Sequence, residues 1–352
     1  MISLEEMLKL AVEKSASDIF LVVGQPVSFK INGVIEKQEK QILLPDELSV
    51  LIDRFYVLAG RNNQNRELGD DDFSISVPHV GRFRVNVFKQ RGSWGAVLRV
   101  VNFELPHVQI MGIPQTILDI GKKQKGLILV TGSAGSGKST TLAYIIDKIN
   151  RSRNCHILTL EDPIEFLHAH NKSIVSQREI GIDSANYSRA LKAALREAPD
   201  VILIGEMRDL ETIEIAMTAA ETGHLVLSTL HTVGASNTID RIVDVFPPEQ
   251  QQQIRFQLSM VLEAVISQQL IPTVNGKLAP AFEILKVNNA VRTLIRDGKV
   301  HQIPATIATS KEDGMIAMDD SILKLYKEGK IDENDALYHC INQDAMRRSL
   351  RK

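Results

Sequence analysis

The chain is short of several things, and each shortage narrows what it does. Its 352 residues include two cysteines, Cys155 and Cys340, too few for a disulfide framework or a four-ligand zinc site and in keeping with a reducing compartment. Aromatic residues make up 5%, with one tryptophan, so no aromatic-basic groove for single-stranded nucleic acid stands out. Neither sign of charge dominates: 41 Lys and Arg face 43 Asp and Glu, which gives no global electrostatic case for a nucleic-acid partner. No apolar run approaches the roughly 20 residues needed to cross a bilayer. The opening MISLEEMLKL lacks the basic region, apolar core and small-residue cleavage site of a signal peptide. Membrane association is therefore expected to be peripheral or through a partner. There is no internal repeat and no low-complexity tract.

What remains is an ordinary globular composition, 44% apolar and 24% charged, in a length that accommodates two domains. Ser3-Leu4-Glu5-Glu6 is a capping box that opens a helix. Strand-like runs follow at 19–23 and 27–31, with Gly24-Gln25-Pro26 turning between them and Asn32-Gly33 signalling a hairpin. A polar helix at 45–58 and strands near 73–77, 82–88 and 96–100 complete a small α+β domain over residues 1–101. Residues 102–115, which include Pro106 and Pro114 and lack periodicity, are expected to be a linker. Over 116–352, apolar strands alternate with amphipathic helices, the pattern of a doubly wound, mainly parallel sheet in an α/β domain with a helical C-terminal segment. Pro247-Pro248 is expected to start one long helix carrying Ile254, Leu258, Val261, Leu262, Val265 and Ile266 and stopping before Pro272.

The strongest chemical signal follows an apolar strand at 126–130. Gly132-Ser133-Ala134-Gly135-Ser136-Gly137-Lys138-Ser139 matches G-x-x-x-x-G-K-[ST] at every fixed position, and a helix with an apolar stripe at Leu142, Ile145, Ile146 and Ile149 comes next. Glycines let successive backbone N–H groups turn inward toward phosphate oxygens, and the helix adds its positive end. Lys138 is positioned to reach the β- and γ-phosphates and the Ser139 hydroxyl to hold magnesium, with Thr140 completing the nucleotide-binding set. ATP and Mg2+ are thus the expected ligands.

Three further segments point to the same sheet edge. A strand at 156–160 ends in Glu161-Asp162-Pro163-Ile164-Glu165, one at 201–204 ends in Gly205-Glu206, and one at 225–230 is bounded by His224 and His231. Hydrolysis of a γ-phosphate needs a carboxylate to orient water, and Glu165 and Glu206 are both candidates. Glu161 and Asp162 also fit turn chemistry ahead of Pro163. The two histidines fit either γ-phosphate sensing or ordinary packing. In Gly81-Arg82-Phe83-Arg84-Val85-Asn86-Val87, alternation sets Arg82 and Arg84 on one face; with Arg99 they form either a solvated strand face or arginine fingers that reach ATP within or between subunits. Arg208 is a candidate for an ion pair between subunits.

These residues together resemble a known family. "TGSAGSGKSTTLA", "HILTLEDPIEF", "ALREAPDVILIGEMRDLETI" and "AAETGHLVLSTLHT" resemble the Walker A, Asp-box, Walker B and His-box segments of the PilT-type ATPases, the retraction motors of type IV pili within the secretion-ATPase superfamily. "NTIDRIVDVFPPEQQ", "ISQQLIP" and "AVRTLIRDGKV" continue the likeness over nearly the whole chain, the last resembling the motif that marks the retraction branch. The resemblance implies a PAS-like N-terminal domain joined to a RecA-like ATPase domain, and a cytoplasmic homo-hexamer acting on an inner-membrane, PilC-like platform protein. It makes Glu165 the Asp-box acid, Glu206 the catalytic glutamate that also meets magnesium through water, and His224 with His231 the His-box pair. Ala134, Ala198 and Phe20 depart from the family's usual residues without touching that set.

Overall fold

The structure, a computed structural model, describes residues 3–31, 33–61, 69–101, 105 and 112–351. The linker expected at 102–115 lies largely outside the described residues, as does Asn32 of the hairpin signal. The chain divides into two compact units: Met1–Glu104 with Glu165–Leu167, and Leu105–Ile164 with His168–Lys352.

The first unit is a six-stranded antiparallel sheet. Its strands are β1 (Asp18–Val22), β2 (Pro26–Ile31), β3 (Val34–Ile42), β4 (Asp70–Val77), β5 (Gly81–Gln90) and β6 (Ser93–Val101), in the spatial order β3-β2-β1-β6-β5-β4. Helices α1 (Leu4–Glu13) and α2 (Pro45–Leu58) share its core. The capping box forms in both directions, Glu6 N donating to Ser3 Oγ at 3.2 Å and Ser3 N to Glu6 Oε2 at 3.0 Å. Strand alternation sorts β5 as expected: Phe83, Val85 and Val87 are fully buried, and Arg82 and Arg84 take the other face.

The second unit is built on a seven-stranded sheet of β7 (Gly126–Thr131), β8 (His156–Glu161), β9 (Ile174–Glu179), β10 (Val201–Ile204), β11 (Leu225–Leu230), β12 (Leu262–Pro272) and β13 (Leu278–Lys286). The spatial order is β13-β12-β7-β11-β10-β8-β9, parallel throughout except for the β12–β13 pair. Every residue of β7, β10 and β11 is buried, because helices cover both faces. Leu127 and Leu129 join the core under α5 (Tyr187–Ala194), α6 (Leu210–Glu221), α7 (Ala235–Asp244) and α8 (Pro248–Val261). Ile128 and Val130 join the opposite core, under α3 (Gln115–Ile120) and α4 (Lys138–Ser152). A third cluster, including Ile271, Met318, Ile322 and Met346, lies beneath the C-terminal helices. Among the described residues no helix is long and apolar enough to cross a membrane.

The structure corrects two readings. The long helix after Pro248 ends at Val261, and Leu262 to Pro272 form β12, inserted beside β7. A mostly buried run carries little periodicity to separate helix from strand, so the open edge of β7 decides. The break is pinned by Arg292 on α9 (Asn289–Arg296), whose guanidinium donates to Ser259 O at 2.6 Å, Met260 O at 2.8 Å and Glu263 Oε1 at 2.8 Å. Strand β9, Ile-Val-Ser-Gln-Arg-Glu, carries only two apolar residues and was not expected; the free edge of β8 recruits it.

Candidate nucleotide site

Register brings the candidate residues to one edge of the second unit's sheet. Thr131, the last residue of β7, pairs with Leu230 of β11, and Ser228 of β11 pairs with Ile204 of β10. The glycine-rich loop, Glu206 and His231 therefore all emerge at the carboxyl ends of neighbouring strands. In open parallel sheets that is where ligands bind.

The loop is held from beneath by a residue that sequence reasoning missed. Gln268 of β12 is buried, and its Oε1 accepts from Thr141 Oγ1 of α4 at 2.7 Å. A Cβ on Gly132 would lie 2.3 Å from Gln268 O, so only glycine lets the loop leave β7 this close to β12. Ser133, Ala134 and Gly135 form the exposed crest of the loop, while Ser136 is buried. Gly137 is the N-cap of α4, whose first turn holds Lys138, Ser139 and Thr140. The Lys138 ammonium folds back onto the loop, donating to Gly132 O and Ser133 O at 2.9 Å each. Among the described residues, Ser136 Oγ and Thr131 Oγ1 are buried with no hydrogen-bond partner. Buried orphan hydroxyls, a buried ammonium and a helix N-terminus on one loop fit a phosphate–magnesium group, with Ser139 placed to hold the metal. No cluster of three His, Cys, Asp or Glu is found among the described residues. A hydroxyl beside phosphate oxygens is the hard oxygen chemistry that magnesium accepts.

Glu206 is largely buried, its side chain 17% exposed. Its Oε2 meets Arg208 Nε at 2.6 Å and His231 Nε2 at 3.3 Å. A carboxylate only accepts, so the histidine contact places a proton on Nε2. The strand ends are tied by Thr229 Oγ1 donating to Gly205 O at 2.6 Å and Ser228 Oγ to Ile204 O at 2.8 Å. A cavity of about 320 Å3 opens alongside, lined by Glu206, Arg208, Thr229, His231 and Arg241 among others. Glu161 is engaged rather than a bare loop acid: its Oε1 accepts from Thr159 Oγ1 at 2.6 Å and Gln177 Nε2 at 3.2 Å.

His224 precedes β11, at the amino edge of the sheet, where Nδ1 meets Ala219 O at 2.9 Å and Thr222 Oγ1 at 3.3 Å. A six-residue strand separates it from His231, a span of roughly 20 Å. The expectation that the two histidines form a pair around one phosphate is corrected accordingly. Glu165 is exposed and belongs to the short stretch grouped with the first unit. Arg82, Arg84 and Arg99 are engaged inside the first unit: Arg82 Nη1 donates to Ser76 Oγ at 3.1 Å, Arg84 forms an ion pair with Asp72, and Arg99 Nε meets Asp18 Oδ1 at 3.0 Å.

Two more residues went unseen in the sequence. Glu283 of β13 is buried; burial pushes its carboxyl above the ordinary range, and its Oε1 accepts from Ala235 N at the start of α7, at 2.8 Å. The Tyr187 hydroxyl lies 2.7 Å from where a Cβ on Gly205 would stand. A polar residue inside an apolar strand run was the available signal for Gln268 and Glu283. For Tyr187 there was none.

The family described as "Type II/IV secretion system protein" matches residues 1–324. The chain is 42% identical to the type IV pilus retraction ATPase PilT of Pseudomonas aeruginosa, over 94% of this chain and 96% of that protein. It is 39% identical to the type IV pilus ATPase PilU of the same organism, over 97% and 90%. A crystal structure of the pilus retraction motor PilT with bound ADP superposes with a TM-score of 0.88 at 44% identity, covering 99% of this chain and 100% of that one. The ATPase DotB of Legionella pneumophila superposes at 0.82 with 30% identity, covering 95% and 94%. The RecA-like sheet, the phosphate loop and these likenesses agree: the chain belongs to the type II/IV secretion system protein family, as one of its PilT-type ATPases.

Proposed function

We propose that this ATPase powers retraction and disassembly of a type IV pilus, as in twitching motility. The observation that carries its chemistry is the Glu206–His231 contact at the sheet edge that also presents Lys138. In this reading Gly132 to Thr140 cradle the phosphates through backbone N–H groups. Lys138 reaches the β- and γ-phosphate oxygens. Ser139 would hold magnesium, which would neutralise phosphate charge, and Glu206 would meet it through water. Glu206 orients the attacking water as general base, and His231 Nε2–H reports the γ-phosphate by shifting from the carboxylate to a phosphate oxygen. ATP turnover without Glu206 would overturn this assignment.

Residues 1–101 and 116–352 serve in this proposal as separate domains joined at 102–115, working in a homo-hexameric ring. Glu165 and the arginines Arg82, Arg84 and Arg99 complete the site on ATP binding, within or between subunits. His224, set apart from the phosphates, is assigned to the ring rather than to chemistry. The ring works at the cytoplasmic face of the inner membrane on a PilC-like platform protein, with no nucleic acid involved. Support comes from the identity to PilT over nearly the full length of both chains and from the AVRTLIRDGKV segment. Deletion in the host is the test: hyperpiliated cells that do not retract are expected, whereas bald cells would assign the chain to extension. Phosphate release by the purified protein separates a motor from a nucleotide-gated scaffold.

A further inference from the structure

Strand β10 ends in Gly205, where an acidic side chain would ordinarily precede the catalytic glutamate. A Cβ at that position would meet Tyr187 Oη at 2.7 Å, Leu160 O at 3.3 Å and Glu161 Cα at 3.5 Å. The space in which such an acid would begin is therefore already occupied by a phenolic oxygen, delivered from the first turn of α5. That turn is fixed: Asn186 Oδ1 accepts from Arg189 N at 2.8 Å, and Ala190, Leu191 and Ala194 of the same helix are fully buried. We propose that the Tyr187 hydroxyl takes the place of the missing acid, as a positioning residue that orders water between the carboxylates at this sheet edge and the metal–phosphate group. The proposal rests on the nucleotide-site reading above.

Two further observations support it. The phenol makes no hydrogen bond to a described residue, so its proton and lone pairs are available to water. Burial first, and then the charges of Asp162, Glu206 and Glu161, push its ionisation up, which keeps it neutral across the physiological range. A neutral phenol donates and accepts at once. An ionised aspartate only accepts, and beside Glu161, Asp162 and Glu206 it would add a fourth negative charge. Donating to one water and accepting from another, Oη would orient water beside those carboxylates without that repulsion.

Tyr187→Phe tests this, because it keeps the ring and removes only the hydroxyl. Magnesium is titrated into the ADP-loaded protein by calorimetry, and hydrolysis is followed against magnesium concentration. About a fivefold loss of magnesium affinity and a similar fall in kcat are expected, the effect of one lost water-mediated hydrogen bond. ADP binding in EDTA and the melting temperature should stay unchanged, which a merely structural role for the ring would not produce. Magnesium affinity and kcat both within twofold of the parent would overturn the proposal. Lys138→Ala is run in parallel: if it abolishes ADP binding while Tyr187→Phe changes nothing, the site reading stands and the tyrosine proposal falls. If Lys138→Ala binds ADP normally, the site reading itself fails.

Discussion

Glu206 and His231 leave adjacent parallel strands and meet at 3.3 Å, the imidazole Nε2 donating to the same carboxylate oxygen that Arg208 engages at 2.6 Å. The proposed general base is thus held by two donors, and a γ-phosphate would compete for one of them. Glu206→Gln is expected to lower kcat by about 10²- to 10⁴-fold, the range for removing a general base, and to leave ATP affinity within a few fold. Single-turnover hydrolysis and equilibrium ATP binding check the two halves separately. Steady-state turnover at the parent rate would remove Glu206 from the mechanism.

Gln268 ties the first turn of α4 to β12 through Thr141, at 2.7 Å. Gln268→Leu deletes the acceptor and strands the buried threonine hydroxyl, so the loop loses its preformed shape. A weakening of ADP binding by about tenfold, roughly 1.4 kcal/mol, is expected. Thr141→Val should weaken binding to a similar degree, and the double variant little more, because the two share one bond.

Gly132→Ala places a Cβ 2.3 Å from a backbone oxygen of Gln268, which no rotamer change relieves. Overpacking against main chain costs about 1–3 kcal/mol. The melting temperature should fall, and nucleotide should no longer raise it.

Glu283 is buried with its carboxyl pushed above the ordinary value of 4.5, so the folded chain holds this proton where the unfolded chain has released it. Over that window stability falls as pH rises, and it stays lower above the folded-state value. Glu283→Gln keeps an acceptor for Ala235 N and removes the ionisation. It should melt higher than the parent at pH 7 to 8, with a flatter pH dependence just above pH 4.5; a lower melting temperature at neutral pH would show that the charge itself is needed to cap α7.

Arg292 caps two carbonyls at the end of α8 and pairs with Glu263 at 2.8 Å. Arg292→Ala is expected to cost about 2 kcal/mol, read by denaturant unfolding, because partly buried acceptors lose a charged donor. Lysine at this position should recover only part, since one ammonium does not reproduce the guanidinium fork.

Much of this was legible in the sequence because it is local. A capping box, a run of glycines ahead of Lys138 and the alternation of Arg82-Phe83-Arg84-Val85 each fix their conformation within a few residues, by capping, backbone freedom and strand period. Glu206 and His231 were visible as polar residues at the ends of apolar runs. The break at Val261 was not, since the mostly buried run that follows it shows too little solvent face to set a period. His224 and His231 looked like a pair because they flank one strand; only the parallel arrangement, which sends the two ends of a strand to opposite edges of the sheet, sets them apart.

The sequence by itself determined the phosphate loop, the alternation of strand and helix, and the kind of chemistry, because those depend on residue types at short spacing. Only the tertiary structure decided which residues share a site. Gln268 reaches beneath the loop from 130 residues beyond Lys138, and Tyr187 fills the space beside Gly205 from the helix before β10. Strand order and register are fixed by how buried faces pack across the whole sheet, and no stretch of sequence contains that information alone.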